Sequence, residues 1–461
     1  MTTLVRAAHV LTMGPAGDVR DGAVAFDGDR IVAIGPWPEL AARYPDADRR
    51  GDGHGVLIPG LVNCHNHLSE ALICGMASDL TLWEWGQRLI VPVGRVLDRD
   101  MAYLGTRVKA AEMLLSGVTC VNDMFCYENH AARATLGVVD ALEELGVRAV
   151  ESLGAADVEL GAQGPPNEAM HELIFAEHEA LADRCAASPL VSFRYGISTI
   201  LDQSPELFER GIKRAAAEGW AVHTHLAEVR EELTASRLAH GVNTLEHAHR
   251  HGLLDLELLA AHCVWVNESD ISLLAARDVK VAHNPVANMI LASGVCPVPR
   301  LRREGVTVGI GTDGAASNDS NNMLEAMKMA ALIQKLHHLD ATRMRATDAL
   351  RMATIEGARA LTLDREIGSI EVGKKADLVR FSGLGPGLAN VHDPYERIVY
   401  CASPRDVADV WVDGVQRVAA GELVGADVAE LVLDSKPAAA ELVSRAGLGE
   451  LSVLARAQEE R

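Results

Sequence analysis

Apolar and polar residues follow one another along this chain in two distinct patterns. Between residues 3 and 57 short apolar runs, such as 22–26 and 30–34, are separated by Gly-Asp turns, which is typical of β-strands. From residue 56 onwards apolar runs alternate with longer stretches of helical periodicity, such as 107–115 and 324–334. Eight runs of this kind predict strands at residues 56–63, 118–124, 147–153, 191–198, 220–225, 261–266, 279–284 and 306–313.

Eight strand–helix units predict an α/β fold with a (β/α)8 TIM-like barrel, whose active-site residues lie at the C-terminal ends of the strands. After about residue 365 short strands return, at 376–381, 398–401 and 407–412. We therefore expect a small β-sandwich domain formed from both chain ends. The predicted division assigns residues 1–57 and 366–434 to the two parts of this small domain, 58–365 to the barrel, and 435–461 to a C-terminal helix.

The composition narrows the class of protein. The 461 residues, 48% of them hydrophobic, suffice for a large core, and no run of roughly eighteen apolar residues predicts a membrane span. The first residues lack the charged-then-apolar pattern of a signal peptide, so a cytoplasmic protein is expected. The net charge of -21 argues against a nucleic-acid partner, whose phosphates require a basic surface. The eight cysteines include no Cys-x-x-Cys pair, which indicates reduced thiols.

Two histidines one residue apart, His65 and His67, end the first predicted barrel strand. Side chains alternate faces along a strand, so both imidazoles point the same way, and two neutral imidazoles suit a divalent metal such as zinc. Taken alone, this motif indicates an exposed histidine pair at a strand end about equally well. Further candidate ligands at the ends of other strands favour the metal.

The fifth predicted strand ends in His223-Thr-His225-Leu-Ala-Glu228. Both histidines share a face, and we select His225 as the ligand because it lies nearer the strand end. Glu228 lies where the chain turns over the barrel mouth, so it is placed to transfer a proton to a substrate. The alternative for Glu228 is an ordinary surface glutamate.

Three more strand ends carry candidate residues. His262 follows the sixth strand and is a candidate to orient a metal-bound water, although a lone histidine there is more often a core residue. Asp313 ends an apolar, Gly-rich strand and can serve as ligand and general base, with a helix N-cap as the alternative. For His283 we consider a structural role and a role in supporting a metal ligand equally. The fourth strand, 191–198, contains no lysine to bridge two ions, so one metal is expected.

In this order the motifs resemble the amidohydrolase superfamily, and within it the branch of S-adenosylhomocysteine/methylthioadenosine deaminases and triazine (atrazine-type) hydrolases. The matching segments are Pro59-Gly-Leu-Val-Asn-Cys-His65-Asn-His67, the His225/Glu228 pair, His262-Cys-Val, His283-Asn-Pro-Val-Ala-Asn288, Gly311-Thr-Asp313-Gly-Ala-Ala-Ser-Asn-Asp319 and Gly368-Ser-Ile-Glu-Val-Gly-Lys-Lys-Ala-Asp377-Leu-Val. The likeness covers nearly the whole chain.

The resemblance implies one divalent ion, zinc first with iron or manganese as alternatives, held by His65, His67, His225 and Asp313. In such enzymes Asp313 would take a proton from the metal-bound water, Glu228 would protonate a ring nitrogen, and His262 would hold the hydroxide or the developing oxyanion. The barrel would then be a metal-dependent hydrolase that deaminates an amino-substituted N-heteroaromatic ring, such as a purine nucleoside or base or an s-triazine. A homodimer or homotetramer is also implied.

Two other functions remain as alternatives. The same site could expel chloride or another leaving group from a triazine-like ring, since both reactions need the same hydroxide and the same acid. A non-catalytic scaffold on this fold is the third alternative, and the presence of every expected ligand, Glu228 and Asp313 argues against it.

The segments that shape the pocket depart from the family pattern. Nucleoside deaminases of the family usually carry a ribose-binding glutamate where this chain has 91–94, and Gly-Pro-His where it has Gly196-Ile-Ser198. An arginine that serves a substrate carboxylate in homocysteine-type enzymes corresponds here to Leu153. The metal residues are thus intact and the pocket altered, away from that of an ordinary S-adenosylhomocysteine deaminase. The candidate substrate-binding residues are Trp85, Gln87, Ser198, Trp265, His283, Asn288 and Ser317.

Overall fold

The computed structural model describes residues 1–76, 79–158 and 166–451. The strands are β1 (Thr3–Val10), β2 (Val19–Asp27), β3 (Arg30–Pro36), β4 (Asp48–Arg50), β5 (Val56–Pro59), β6 (Leu61–Asn66), β7 (Val118–Cys126), β8 (Arg148–Gly154), β9 (Val191–Phe193), β10 (Tyr195–Ile197), β11 (Val222–Leu226), β12 (Leu258–His262), β13 (Lys280–His283), β14 (Val308–Ile310), β15 (Leu378–Phe381), β16 (Val407–Val412), β17 (Val415–Ala419) and β18 (Glu422–Leu423).

Helices cover the outside of the barrel and connect its strands. They are α1 (Trp37–Arg43), α2 (Leu82–Trp85), α3 (Val91–Val96), α4 (Arg99–Leu115), α5 (Ala134–Leu145), α6 (His171–Ala186), α7 (Pro205–Glu218), α8 (Arg230–His240), α9 (Thr244–Arg250), α10 (Glu268–Ala276), α11 (Pro285–Ile290), α12 (Val298–Arg303), α13 (Met323–His338), α14 (Ala346–Met352), α15 (Ile355–Ala360), α16 (Pro394–Cys401) and α17 (Val428–Arg445). A π-helical turn, Gly86–Ile90, joins α2 to α3.

The barrel consists of two parallel sheets that meet at two seams. One sheet runs β6-β7-β8-β9 and the other β10-β11-β12-β13-β14. At one seam only Arg194 separates β9 from β10, and Ala155 bridges to Ile197. At the other seam the N–H of Asp313 donates to the carbonyl of His65 at 2.9 Å. Eight strand positions therefore surround one core, and all strands point their C-terminal ends to the same side.

Both chain ends build the small β domain. Its strands form one sheet in the order β18-β17-β16-β15-β5-β1-β2-β3, with β4 paired to β1. Strand β5 pairs in parallel with β1 and antiparallel with β15, which brings the two ends of the chain together. Phe26 and Trp411 pack edge to face in its apolar core, with ring centroids 6.3 Å apart.

The predicted strand at 56–63 is two strands that belong to different sheets. It divides at Gly60, where a Cβ atom would lie 1.9 Å from the hydroxyl oxygen of Thr119. Only a glycine lets the chain pass this close while it crosses from the β domain into the barrel. Both strands are fully buried, so their apolar pattern is continuous and gave no sign of the break.

Other predicted elements differ from the structure in their limits or in their type. The sixth barrel strand is Leu258–His262 rather than 261–266, and the strand predicted at 398–401 is part of helix α16, which Asp393 caps by accepting from Tyr395 and Glu396 N–H groups. Helix α17 begins at Val428, ahead of the predicted 435, and residues 452–461 lie outside the described part of the chain. In the described residues, we find no helix with the length and apolar character that crossing a bilayer requires.

Candidate metal centre and active site

Five side chains from four strand ends converge at the C-terminal mouth of the barrel. His65 and His67 end β6, His225 lies on β11, His262 is the last residue of β12, and Asp313 follows β14. All are buried except His225, which is partly exposed. Two groups of three have ligand atoms within 4.8 Å of one another: His65 with His67 and Asp313, and His65 with His225 and His262.

The distances between these ligand atoms suit one ion. Nε2 of His67 lies 3.0 Å from Nε2 of His225, and Oδ1 of Asp313 lies 3.4 Å from Nε2 of both His65 and His67. Four ligands bound tetrahedrally at about 2.0–2.2 Å from one zinc ion are themselves about 3.3–3.6 Å apart. The Nε2 atom of His65 is buried and has no hydrogen-bond partner among the described residues. A divalent cation at this point would give that nitrogen a partner.

The other ring nitrogen of each of these histidines has a separate partner. Nδ1 of His67 donates to the carbonyl of Met124 and Nδ1 of His225 donates to the carbonyl of Ser198, both at 2.6 Å. Nδ1 of His65 faces Nε2 of His223 at 2.9 Å. The two carbonyls fix the tautomer of His67 and His225, which leaves their Nε2 lone pairs directed at the centre.

Burial keeps the ligand histidines in the form that binds metal. It lowers the pKa of His65 to about 4, and it also lowers the pKa of His67 and, further, that of His225. Burial opposes ionisation of Asp313, but the adjacent imidazole of His65 and the charges of His262 and His65 hold the pKa of its carboxyl well below the usual range. Three neutral imidazoles and one carboxylate are a donor set typical of zinc.

His262 and Glu228 face the same point from the other side. Nε2 of His262 lies 3.5 Å from Oε2 of Glu228 and 3.6 Å from Oδ2 of Asp313, and its Nδ1 donates to Oδ1 of Asn288 at 2.9 Å. Burial alone would lower the pKa of His262, but the charges of Glu228 and Asp313 outweigh it and raise this pKa. Burial raises the pKa of Glu228 to about 7. The carboxyl can therefore carry a proton near neutral pH.

Two of these residues adopt left-handed backbone conformations that L-residues rarely adopt. The φ angle is 74° at His262 and 68° at Asp313. Such conformations cost of the order of 1–3 kcal/mol each, so the surrounding structure must hold them in place. In return, the side chains turn into the barrel mouth at the point where their strands end.

A cavity opens beside the converging residues. Its wall includes Trp85 and Ser198 of the predicted substrate-binding residues, together with His67, His225 and Glu228. Trp85 lies at the end of α2, and its Nε1 donates to the carbonyl of Ala316 at 3.2 Å. Ser198 follows β10. The segment from α2 to α3 thus forms one side of the cavity.

The other predicted substrate-binding residues lie outside the described cavity wall. Trp265 is 37% exposed and donates to the carbonyl of Ser293, while Gln87 is exposed on the π-helical turn. His283 is buried, and the side chain of Ser317 donates to the carbonyl of Gly314. Asn288 contacts His262 as described, so its place is behind the site rather than on the substrate side.

Sequence reasoning missed three acids in the cavity wall, Glu70, Glu128 and Asp202. Glu70 accepts from the N–H of Ala316 at 2.8 Å, and burial, followed by the charge of Asp313, raises its pKa well above the usual range. A signal for Glu70 was present, because the segment from His65 to Glu70 repeats the His-x-His-Leu-x-Glu pattern of 223–228. Asp202 lies in a polar loop with no comparable pattern.

The chain matches known families and proteins over most of its length. A model described as the amidohydrolase family covers residues 56–417. The 5-methylthioadenosine/S-adenosylhomocysteine deaminase of Pelotomaculum thermopropionicum is 36% identical over 448 residues, which are 96% of this chain and 99% of that protein.

Two solved structures share the fold. An adenosine deaminase from Xanthomonas campestris with bound zinc has a TM-score of 0.87 and 32% identity, over 96% of this chain and 98% of its own. An atrazine chlorohydrolase from Arthrobacter aurescens TC1, complexed with zinc, has a TM-score of 0.87 and 25% identity, over 95% of this chain and 100% of its own.

Proposed function

This chain belongs to the amidohydrolase family, and from that premise we propose that it is a metal-dependent aminohydrolase acting on an amino-substituted N-heteroaromatic ring. The observation that carries the proposal is the convergence of His65, His67, His225 and Asp313 on one point that Glu228 also faces, beside a cavity. The site thus has the ligands for an ion, a base and an acid within reach of one bound molecule.

His65, His67, His225 and Asp313 would hold the ion. We propose zinc, because their spacing and chemistry suit it and because two solved relatives contain it. A bound divalent ion lowers the pKa of its water toward neutrality and so supplies a nucleophile at neutral pH.

The remaining steps belong to side chains of the chain. Asp313 accepts the proton that the attacking water loses, since its carboxyl stays ionised among the histidines. Glu228 donates a proton to the ring nitrogen next to the attacked carbon, which accepts the electron pair of the C=N bond. His262 donates a hydrogen bond to the attacking oxygen. Asp313 then returns its proton to the amino group, which leaves as ammonia. The added oxygen becomes the carbonyl of the product, and its remaining proton restores the carboxyl of Glu228.

The ring is most simply a purine in a nucleoside-like substrate. A 36% identical relative that the chain matches end to end is named a 5-methylthioadenosine/S-adenosylhomocysteine deaminase, and a solved structure at 32% identity is an adenosine deaminase. The triazine enzyme shares the fold at 25% identity. We therefore rank an aminopurine ahead of a triazine as substrate.

Ammonia release tests this proposal. The purified, zinc-loaded protein is assayed on adenosine, 5′-modified adenosines, free purine bases, aminopyrimidines and aminotriazines. We expect turnover of at least one aminopurine. No ammonia from any compound, together with release of chloride from a chlorotriazine, would overturn the proposal in favour of a different leaving group.

Replacement of Glu228 tests its role as the proton donor. In Glu228→Gln the metal residues are unchanged, so the protein should retain zinc and lose about 10²-fold or more of kcat on the best substrate. Glu231→Gln is the matched control, because Glu231 is an exposed glutamate at the start of α8, and it should leave kcat unchanged. Full activity in Glu228→Gln would contradict the assigned role.

A further inference from the structure

The cavity beside the metal residues is acidic. Four carboxyl groups lie in its wall, from Glu70, Glu128, Asp202 and Glu228, and its described lining contains no lysine or arginine. A bound anion would therefore find no cation to pair with in this wall.

The rest of the wall is largely apolar. Besides the acids and the two histidines it contains the side chains of Leu82, Trp85, Ile90, Val91, Tyr127 and Val158. A ligand that enters this cavity loses water without gaining polar partners over most of its surface. Removing an unpaired charge from water costs several kcal/mol, whereas burying apolar groups is favourable.

Asp202 is held in the wall by its own loop. It is 6% exposed, and its Oδ1 accepts from the N–H of Thr199 at 3.0 Å. Its main-chain carbonyl accepts from Asp157 at 3.1 Å and from Val158 at 3.0 Å, and Asp157 in turn accepts from the N–H of Ser204 at 2.6 Å. These contacts fix the backbone on both sides of the carboxyl, so Asp202 cannot simply turn away from a ligand.

The loop that carries Asp202 also contacts one of the metal residues. The carbonyl of Ser198, four residues earlier, accepts from Nδ1 of His225, so the loop 198–204 joins the metal centre to the cavity wall. The same cavity is lined by His67, His225 and Asp202, so a substituent of a ring held at the metal would extend into it. Burial raises the pKa of the Asp202 carboxyl to about 7.

We propose that this pocket selects its substrate by charge: the part remote from the reacting ring is uncharged or cationic, carboxylates and phosphates are rejected, and Asp202 is the residue that sets this preference. The inference rests on the proposed function, because it takes the ring to lie at the metal. An anionic substituent meets four carboxyl groups and no lysine or arginine in the described wall, while a hydroxyl or an ammonium group can donate to Asp202.

Three ligands of similar size separate charge from shape. They are adenosine, 5′-amino-5′-deoxyadenosine and adenosine-5′-carboxylic acid, which are neutral, cationic and anionic at neutral pH. We measure kcat/KM on the zinc-loaded protein and, independently of turnover, binding to zinc-loaded Glu228→Gln by calorimetry. We expect the acid to be at least about tenfold poorer than the other two by both measures.

Asp202→Asn tests the residue itself. The asparagine keeps the Oδ1 acceptor for Thr199 and removes the charge. The ratio of kcat/KM for adenosine to kcat/KM for the acid should therefore fall by about tenfold. A merely structural role would change all three ligands together and leave that ratio constant. Asp46→Asn removes the same charge from an exposed turn of the small domain and should leave the ratio unchanged.

The outcomes separate this inference from the proposed function. If the acid binds and turns over as well as adenosine, or if Asp202→Asn leaves the ratio unchanged, charge selection is overturned. If no ligand of the three binds, it is overturned as well. If the ligands bind in the expected order but none is deaminated, charge selection stands and the proposed reaction is wrong.

Discussion

At the scale of single residues, the contact on one ring nitrogen decides what the other nitrogen can do. His67 and His225 donate from Nδ1 to main-chain carbonyls, which leaves Nε2 free to bind a metal. His65 instead meets His223, which lies deeper in the barrel on the same strand as His225. The choice of His225 over His223 as ligand therefore has a geometric basis, because only His225 reaches His67 through Nε2.

Removal of a ligand histidine should abolish metal retention. In His65→Ala or His225→Ala a three-ligand site remains, and with its buried neighbours left unpaired we expect zinc content after dialysis against a chelator to fall at least about tenfold. Elemental analysis measures it. His54→Ala, an exposed histidine of the small domain, is the control and should retain zinc as the unaltered protein does. Retention of a full equivalent by His225→Ala would assign the third ligand to His223.

Asp202 should cost stability in a pH-dependent way. Burial raises its pKa from 3.8 to about 7 in the folded protein. Between pH 3.8 and about pH 7 the carboxyl therefore ionises in the unfolded chain before it ionises in the folded one. The free energy of unfolding falls as pH rises through this range. Each pH unit of this rise corresponds to about 1.4 kcal/mol at most. Asp202→Asn should therefore raise the Tm of the protein more at about pH 8 than at about pH 5. An equal gain at both pH values would show that burial does not perturb this carboxyl.

The sequence predicts those residues whose position follows from a strand end. His65, His67, His225, Glu228, His262 and Asp313 all follow apolar runs, and the structure brings them together. Asp202 could not be found this way, because a loop acid becomes a wall residue only through contacts with another loop, here at Asp157 and Val158. Strand-end reasoning also does not place Gln87 and Trp265, which were predicted to bind substrate and lie outside the described wall.

At the scale of elements, the loop after β14 depends on Glu70. The Glu70 carboxyl accepts from the N–H of Ala316, and the carbonyl of Ala316 accepts from Trp85. Ala316 therefore links the loop after β14 both to Glu70 and to helix α2. Gly314 makes this approach feasible, because a Cβ atom there would lie 1.9 Å from Oε2 of Glu70. The position of Asp313 is therefore coupled to a carboxyl from the first barrel strand's loop.

Gly314→Ala should disturb both stability and activity. The added methyl group displaces Glu70 or the loop, and we expect a loss of about 1–3 kcal/mol in the free energy of unfolding and about tenfold or more in kcat/KM. Urea denaturation and the ammonia assay measure the two effects. Combining it with Glu70→Ala removes the clash, so the double variant should be less impaired than the sum of the single changes.

A glycine without close neighbours provides the control. Apart from its chain neighbours, no atom of the described residues lies within 4 Å of a Cβ built at Gly449, so Gly449→Ala should change neither quantity appreciably. If Gly314→Ala behaved like Gly449→Ala, the coupling between Glu70 and the metal loop would be refuted.

Apolar runs located the eight barrel strands but not their exact limits. The run at 56–63 merged β5 with β6, because both are buried and only the glycine between them marks the change of sheet. The apolar run at 398–401 was assigned to a strand, but Asp393 and Pro394 start a helix there. Short apolar runs fit a strand and a buried helix equally well, so capping residues upstream decide between them.

At the scale of the whole molecule, the predicted barrel class and the amidohydrolase family are confirmed. The candidate metal-binding residues come from strand ends spread over some 250 residues, and the barrel brings them together. The assembly of a single sheet from both chain ends was predicted only in outline, since pairing between β5 and β15 joins residues far apart in sequence. The oligomeric state and the cytoplasmic location stay predictions.

One buried arginine ties the barrel to the small domain. Arg148, at the start of β8, donates to both carboxylate oxygens of Asp377 at 3.0 and 3.1 Å and to Asp413 at 2.7 Å. Asp377 is buried, so loss of Arg148 leaves its carboxylate away from water with only the N–H of Asp413 as donor and without its counter-charge. This charged contact between the two parts of the molecule adds to their apolar packing.

Arg148→Ala should destabilise the whole protein by about 3–5 kcal/mol, the range for breaking a buried ion pair on one side. Urea denaturation followed by fluorescence measures the loss, with zinc content checked in the native state. Arg99→Ala is the matched control, because Arg99 pairs with Asp140 at 2.7 Å on the surface and such pairs contribute only about 0–1 kcal/mol. Arg148→Lys keeps the charge but not the paired contacts to Asp377, so it should lie between the two. A loss in Arg148→Ala no greater than in Arg99→Ala would mean that apolar packing alone holds the small domain on the barrel.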